Sequence, residues 1–237
     1  MNTKELFPSS EFTPLRKGKL VSKEIFKKGD DVFSVIDVDK LAPHDRDPEK
    51  IFCFVLLYIR RLKEAGIKTV PVAGIERLEN LIIIRTKYFP WFLDEALASG
   101  RAALDESIRA ILEIVERASI YHLGIDPTPK NFALSDNQIL YGDFFYPFIP
   151  EYVRWSRERM DSACPQNKYI IFSQESMFFP LVCGHATLDF LDLGLFNPEN
   201  VISQFYEICK EKWPDLDFYQ ELGSYRREKQ KLIVVGY

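Results

Sequence analysis

Glycine is scarce in this chain and never clusters. Eleven glycines are spread over 237 residues, and Gly18 and Gly29 stand alone in the first strand-rich stretch. No glycine-rich loop is therefore laid out whose backbone N–H groups would cradle a phosphate. Cysteine is equally thin. Cys53, Cys164, Cys183 and Cys209 are too scattered for a paired zinc motif or a disulfide framework, and this usage fits a reduced, cytoplasmic setting. No apolar run approaches the roughly 18 residues that span a bilayer, and residues 1–10 hold no apolar signal core, so neither a membrane nor a secretory route is expected. Positive charge is not in excess either: 31 Lys and Arg against 35 Asp and Glu leave a net charge of −4. A nucleic-acid partner, which needs a basic field, is not expected. There is no internal repeat and no low-complexity tract.

What remains is an ordinary globular composition, 46% hydrophobic and 28% charged, long enough for a substantial core. Its most informative stretch is Ile125-Asp126-Pro127-Thr128-Pro129-Lys130-Asn131-Phe132, followed by Ile139-Leu140-Tyr141-Gly142-Asp143-Phe144-Phe145. Before it, apolar residues at Ile108, Ile111, Leu112, Val115 and Ala118 predict a helix over Asp105 to Tyr121. After it, Phe132-Ala133-Leu134, a turn at Ser135 to Gln138, and Gln138 to Tyr141 predict a short hairpin. An acid, an amide and a second acid thus sit on two loops joined by that hairpin. Phosphoryl transfer uses such a set: hard oxygen ligands for Mg²⁺ and a carboxylate to orient the attacking hydroxyl. Pro127 and Pro129 stiffen the first loop. The plainer alternative is a proline-rich turn in which Asp126 and Asn131 merely cap backbone groups.

Upstream, residues 1–14 form a lead-in. Strands are predicted over Lys19 to Phe26 and Asp31 to Val38 around a Lys27-Lys28-Gly29-Asp30 turn. A loop covers Leu41 to Pro48. A helix then opens with Asp47 as N-cap and Pro48 in its first position, running through Phe52, Val55, Leu56, Ile59 and Leu62 to a stop at Gly66. Ile67 to Glu76 and Asn80 to Thr86 complete the strands, around a turn at Arg77-Leu78-Glu79.

Helix, acid loop, hairpin and acid–aromatic pair follow the order of a kinase C-lobe, and strands–helix–strands the order of a kinase N-lobe. On these residues the chain resembles the protein-kinase-like superfamily. It looks closest to the aminoglycoside-phosphotransferase and RIO-like small-molecule branch, to which the Arg60 to Pro71 segment is also similar. The resemblance implies a two-lobed α+β fold, with residues 15–89 as a mainly antiparallel nucleotide-binding N-lobe and 90–237 as a mainly helical C-lobe. It implies ATP and Mg²⁺ as cofactors, Asp126 as the catalytic carboxylate, and Asn131 and Asp143 as metal ligands. The hinge segment Arg85-Thr86-Lys87-Tyr88 would offer backbone groups to the adenine. The partners implied are a nucleotide and a small-molecule acceptor.

The departures matter as much. By register Asp37 lies near the position of the family's nucleotide-binding lysine, and Lys40 just beyond it, so Lys40, Lys27 or Lys28 would have to replace it. No acid lies between Glu49 and Glu64, and Val55 falls where the partner glutamate belongs. Gly124 stands two residues before Asp126, where relatives have His, and His122 is out of register. Two readings follow, a divergent active phosphotransferase and a pseudokinase-like nucleotide- or partner-binding protein.

Downstream, Tyr152 to Met160 reads as an amphipathic helix rich in arginine. Lys168 to Phe172 is a short apolar run, and Phe178 to Leu195 a buried helix broken near Gly194. A further helix starts at Asn197-Pro198 and runs to Trp213. Cys183 and His185 read as core residues of an apolar helix rather than a metal site.

Overall fold

The computed structural model describes residues 6–8, 10–17, 23–136, 138–160 and 165–234. Strand-forming residues in the first third build β1 (Thr13–Lys17), β2 (Lys23–Lys28), β3 (Asp31–Asp37), β4 (Val72–Leu78) and β5 (Leu81–Lys87). They make one sheet in the order β1-β2-β3-β5-β4, every neighbouring pair antiparallel. The predicted turn after β2 contracts to Gly29-Asp30 because β2 runs on to Lys28, and Gly29 adopts φ +58 as the tight reversal demands. Of the strand expected over Lys19 to Phe26, residues 19–22 lie outside the described residues. Thr13–Lys17 is a strand although 1–14 reads as a lead-in. Pro14 is tolerated because β1 is an edge strand, and the register shifts beside it, between Pro14 and Arg16.

Helix α1 (Pro48–Glu64) forms where its capping signals place it. The Asp47 side chain accepts the N–H of Lys50, Pro48 occupies the first turn, and Gly66 follows the end at φ +68. Its buried face, Ile51, Phe54, Val55, Tyr58 and Leu62, recurs every three to four residues and covers the sheet. Arg61 grips Glu151 with two parallel bonds of 2.8 and 2.6 Å, fastening α1 to the helical half.

That half contains α2 (Leu93–Ala98), α3 (Leu104–Ile120), the hairpin β6 (Phe132–Ser135) and β7 (Gln138–Tyr141), α4 (Pro150–Glu158), α5 (Pro165–Glu175), α6 (Leu181–Asp192), α7 (Pro198–Lys212) and α8 (Phe218–Val234). Where Lys168 to Phe172 reads as an isolated apolar run, the chain is helical throughout α5. Asn197 caps α7 through bonds from Glu199 and Asn200 N–H groups. The strand expected from Ile67 begins only at Val72, because Lys68 and Val70 bond instead to β7. Tyr141 N–H donates to the Lys68 carbonyl at 2.9 Å, and Val70 N–H to the Tyr141 carbonyl at 2.9 Å.

One buried cluster runs without a break from Ile36 and Ile84 on the sheet, through α1 and α3, to Phe205 and Cys209 on α7. A smaller one, Phe7, Val35, Leu81 and Ile83, lies apart from it, with Phe7 stacked on Phe26 at 4.9 Å. No helix among the described residues is long and apolar enough to cross a membrane.

The cap makes a quantitative prediction. Asp47→Ala strands the first-turn N–H groups of α1 and should cost about 1 kcal/mol, read as a lowered midpoint in urea denaturation.

Candidate nucleotide and metal cleft

A narrow cleft opens between the sheet and the β6–β7 hairpin. Lys23 and Ile25 on β2 and Val32 and Ser34 on β3 form its roof, Thr86 to Phe89 its rear, and Asn131, Ala133 and Asp143 its floor. Its free volume is about 90 Å³, a slot rather than a cavern.

The roof decides where positive charge stands. Side chains alternate along a strand, so Ile36 shares the face of Val32 and Ser34, and it is wholly buried. The inward position beyond Ser34 therefore belongs to Ile36, an apolar residue, and not to Asp37. Asp37 turns away, accepts the N–H of Asp39 at 3.2 Å and pairs with Lys40 at 2.8 Å. Lys40, expected at the phosphates, is thus held outside the cleft lining, half-exposed, by a carboxylate three residues before it. The lysine that does enter is Lys23, whose Nζ lies 2.8 Å from Asp143 Oδ1. Its sequence signal was slight, a lysine two residues from Ile25 on a predicted strand. What gives it meaning is Asp143, 120 residues away. Lys130 also lines the cleft and was likewise missed.

Along the hinge, Thr86, Lys87 and Tyr88 line the cleft. Arg85 alternates to the other face of β5 and lies against Gly74, in the space a Cβ there would enter at 3.6 Å. The N–H of Tyr88 is taken by the Asp30 carbonyl at 2.8 Å and that of Lys87 by the Pro71 carbonyl at 3.3 Å. Lys27 sits over the Tyr88 ring, 3.4 Å from its centroid.

Asn131 and Asp143 come together on the floor. Their loops are tied by the Gly142 N–H donating to the Asn131 carbonyl at 2.8 Å. The Asn131 side-chain Nδ2 is buried without a hydrogen-bond partner, an amide otherwise costly to bury. A neutral amide oxygen and a carboxylate are hard donors of the kind Mg²⁺ takes, so these two residues fit such an ion.

Asp126 lies deeper and is not part of the cleft lining. Its Oδ1 accepts the N–H of Thr128 at 3.1 Å and meets the Thr128 hydroxyl at 2.6 Å. That hydroxyl is also 2.8 Å from Asp189 Oδ2 on α6, and His185 Nε2, one turn earlier, is 3.1 Å from the same oxygen. Donor atoms of Asp126, His185 and Asp189 all fall within 4.8 Å of one another. Burial, with the nearby Asp143 charge, holds the Asp126 carboxyl above its usual range despite His185. Burial works against the imidazolium, yet the charge and hydrogen bond of Asp189 outweigh it and raise the His185 pKa. In Asp189 the same partner outweighs burial and lowers it. His185 is therefore buried, as its apolar helix implies, but it is paired. Asp189, four residues further along the helix, is a further polar residue that sequence reasoning missed.

Two further substitutions are explained locally. A Cβ on Gly124 would lie 2.7 Å from Phe148 Cβ, so this position, where the resemblance led one to expect His, admits only glycine. With Val55 and Tyr58 buried on α1, the helix brings a phenol rather than an acid. The Tyr58 hydroxyl donates to the Gly124 carbonyl at 2.7 Å and lies 3.4 Å from the Tyr141 hydroxyl, which accepts the Asp126 N–H at 3.4 Å.

An antiparallel five-stranded sheet with one helix inserted between β3 and β4, a cleft, and a helical half in which an Asp–Asn loop and a hairpin follow α3 define a kinase-like α+β fold. No family model and no curated protein matches the chain. Among solved structures it is similar to a 2.2 Å crystal structure of WbdD, at 13% identity and TM-score 0.46, over 90% of this chain and 50% of that one. A co-crystal structure of WbdD with the kinase inhibitor LY294002 gives 13% and 0.44, over 88% and 48%. A medium-resolution structure of the bifunctional kinase-methyltransferase WbdD gives 14% and 0.42, over 86% and 47%. The chain spans about half the length of these WbdD chains.

The His185–Asp189 pair has a pH signature. A histidine whose folded pKa is raised contributes stability in full below its unfolded value, about 6.5, and loses it as pH climbs through the folded pKa. His185→Gln should therefore destabilise most near pH 6 and progressively less at alkaline pH, in denaturation series run across that interval.

Proposed function

We propose that the chain is a divergent phosphotransferase that binds ATP with Mg²⁺ in the cleft and transfers the terminal phosphoryl group to a hydroxyl of a small molecule. The observation that carries this reading is the meeting of Lys23, Asn131 and Asp143 in one cleft beside the Thr86 to Phe89 segment. Lys23 would contact the phosphates, the role that protein kinases give to a lysine on the third strand. Asn131 and Asp143 would hold the metal, which when bound neutralises charge on the phosphoryl oxygens. Asp126 would orient the acceptor hydroxyl. Because the N–H groups of Lys87 and Tyr88 are already bonded, the adenine edge would be read by backbone groups further along, at Phe89. A small acceptor is favoured because only Phe144 to Ile149 separate Asp143 from α4, and Phe144, Phe145, Phe148 and Ile149 are buried, leaving little platform for a protein substrate.

A second reading is favoured by specific features. The slot is narrow, Lys23 is already engaged with Asp143, and Ile36 and Val55 stand where an ion pair would couple strand to helix. On that reading the chain is a pseudokinase-like nucleotide- or partner-binding protein without turnover.

Thermal denaturation with ATP, with and without Mg²⁺, separates the two when read beside a phosphate-transfer assay. The phosphotransferase reading expects a Mg²⁺-dependent rise in melting temperature, worth about 2.7 kcal/mol at a hundredfold excess over Kd. That rise should be lost in Asp143→Ala, weakened in Lys23→Met and unchanged in Lys40→Met. A rise without turnover assigns a nucleotide-binding module, and no rise with any nucleotide leaves a partner-binding one.

A further inference from the structure

The contacts beneath the cleft require one more proton than two ionised carboxylates allow. Thr128 Oγ1 lies 2.6 Å from Asp126 Oδ1 and 2.8 Å from Asp189 Oδ2, but a hydroxyl has one hydrogen to donate. His185 Nε2–H supplies the third contact, 3.1 Å from Asp189 Oδ2. Were both carboxyl groups ionised, one of the two Thr128 contacts would set lone pair against lone pair at hydrogen-bond distance in a partly buried setting, where an unmatched charge is costlier than in water. One shared proton, on either carboxyl, satisfies all three contacts; on Asp126, the carboxyl that burial raises while Asp189 beside His185 is lowered, Asp126 donates to Thr128, Thr128 donates to Asp189, and His185 donates to Asp189.

We infer that Thr128, Asp189 and His185 form a proton-sharing chain that positions Asp126 and sets its protonation, an inference that rests on the phosphotransferase reading for its role but not for its geometry. In the resting chain Asp126 carries the proton. The exchange that arms it is balanced: the Asp126 O–H bond breaks as an O–H bond forms to Thr128, while the original hydroxyl hydrogen of Thr128 moves to Asp189. Asp126 is then a carboxylate able to take the proton of an acceptor hydroxyl, and the charge of the cluster as a whole is unchanged. Thr128, Asp189 and His185 are positioning residues, since none touches the cleft. Around Asp126 the titratable groups are His185 and Asp189 from α6, Asp143 after β7 with Lys23 bound to it, and the Tyr58 and Tyr141 phenols; Lys229 acts on Asp189 from α8. The direction of the Asp126 shift, upward, agrees with the contact geometry.

Infrared spectroscopy of the full chain at neutral pH reads this without reference to activity. The expected spectrum contains a protonated-carboxyl C=O band that disappears in Asp126→Asn, shifts in Thr128→Val, which keeps the volume and removes the hydroxyl, and returns unshifted in Thr128→Ser. Absence of such a band, or a band indifferent to Thr128→Val, overturns the chain. If Thr128→Val does not fold, Asp189→Asn takes its place: the band must shift when the charged acceptor beyond Thr128 is lost, and an unmoved band overturns the inference. Titration with Mn²⁺ guards the alternative, because binding abolished by His185→Gln but not by Asp143→Ala would make the cluster a metal site and overturn it. In phosphate-transfer assays Thr128→Val should lower kcat about tenfold at unchanged KM, a positioning effect smaller than the roughly 10²–10⁴-fold of a general base itself, and Thr128→Ser should restore it. Unaltered kcat in an active Thr128→Val enzyme overturns the inference. A wild-type chain with no turnover sinks the phosphotransferase reading, while the infrared band still tests the proton.

Discussion

The Tyr58 hydroxyl is the bond on which the arrangement of the site depends. It reaches from the helix on the sheet side to the Gly124 carbonyl, at the root of the loop that carries Asp126. It also stands beside the Tyr141 hydroxyl, on the strand that delivers Asp143. Both phenols are completely buried, and burial raises their pKa values, so they remain hydrogen-bond donors at any ordinary pH. A buried carbonyl with a good donor contributes modestly, but the same carbonyl left bare costs about 1–3 kcal/mol. The loop, the helix and the hairpin strand are thereby held to one position. The Lys68 and Val70 bonds to Tyr141 reinforce it from the sheet side.

Charge is distributed in two tiers around that fastening. Above lie Lys23, Lys130, Asn131 and Asp143, facing the cleft, with a cation beside hard oxygen donors. Below lie Asp126, Thr128, Asp189 and His185, outside the cleft lining and short of a proton when both acids are ionised. The tiers are coupled electrostatically, since the Asp143 charge raises the Asp126 pKa. A cation on the upper tier would relieve part of that, so occupancy above and protonation below are linked.

Much of the fold was legible because its signals are local. Asp47 with Pro48, and Asn197 with Pro198, mark helix starts by chemistry confined to a few residues, and the hairpin over Phe132 to Tyr141 announces itself by a polar turn between apolar runs. Elements governed by distant partners were not legible. Ile67 to Val70 has strand character yet joins β7, and Lys168 to Phe172 is too short an apolar run to reveal α5. In the site, the Asp126–Asn131–Asp143 spacing read as one motif, and of the three Asn131 and Asp143 line the cleft while Asp126 lies outside its lining. Lys23 was not legible, because only the fold carries β2 to Asp143. The strand register expected Asp37 at the inward position, one residue from Ile36, and on a strand one residue exchanges the faces. Thr128 was visible only as part of a stiff loop, and Asp189 only as a neighbour of a core histidine, until tertiary structure closed the distance between them.

The grip of Arg61 on Glu151, together with Tyr58, makes α1 a strut. In an arrangement where a helix acid pairs with a strand lysine, swinging the helix makes or breaks the pair, and the helix works as a lever on the nucleotide. Here the inward strand residue is Ile36, the helix offers Val55 and Tyr58, and the lysine comes from β2. No residue of α1 lines the cleft, so displacing it would disrupt the scaffold without operating a switch. The position of Lys23 is set instead by the sheet, since β2 is held between β1 on one side and β3 on the other.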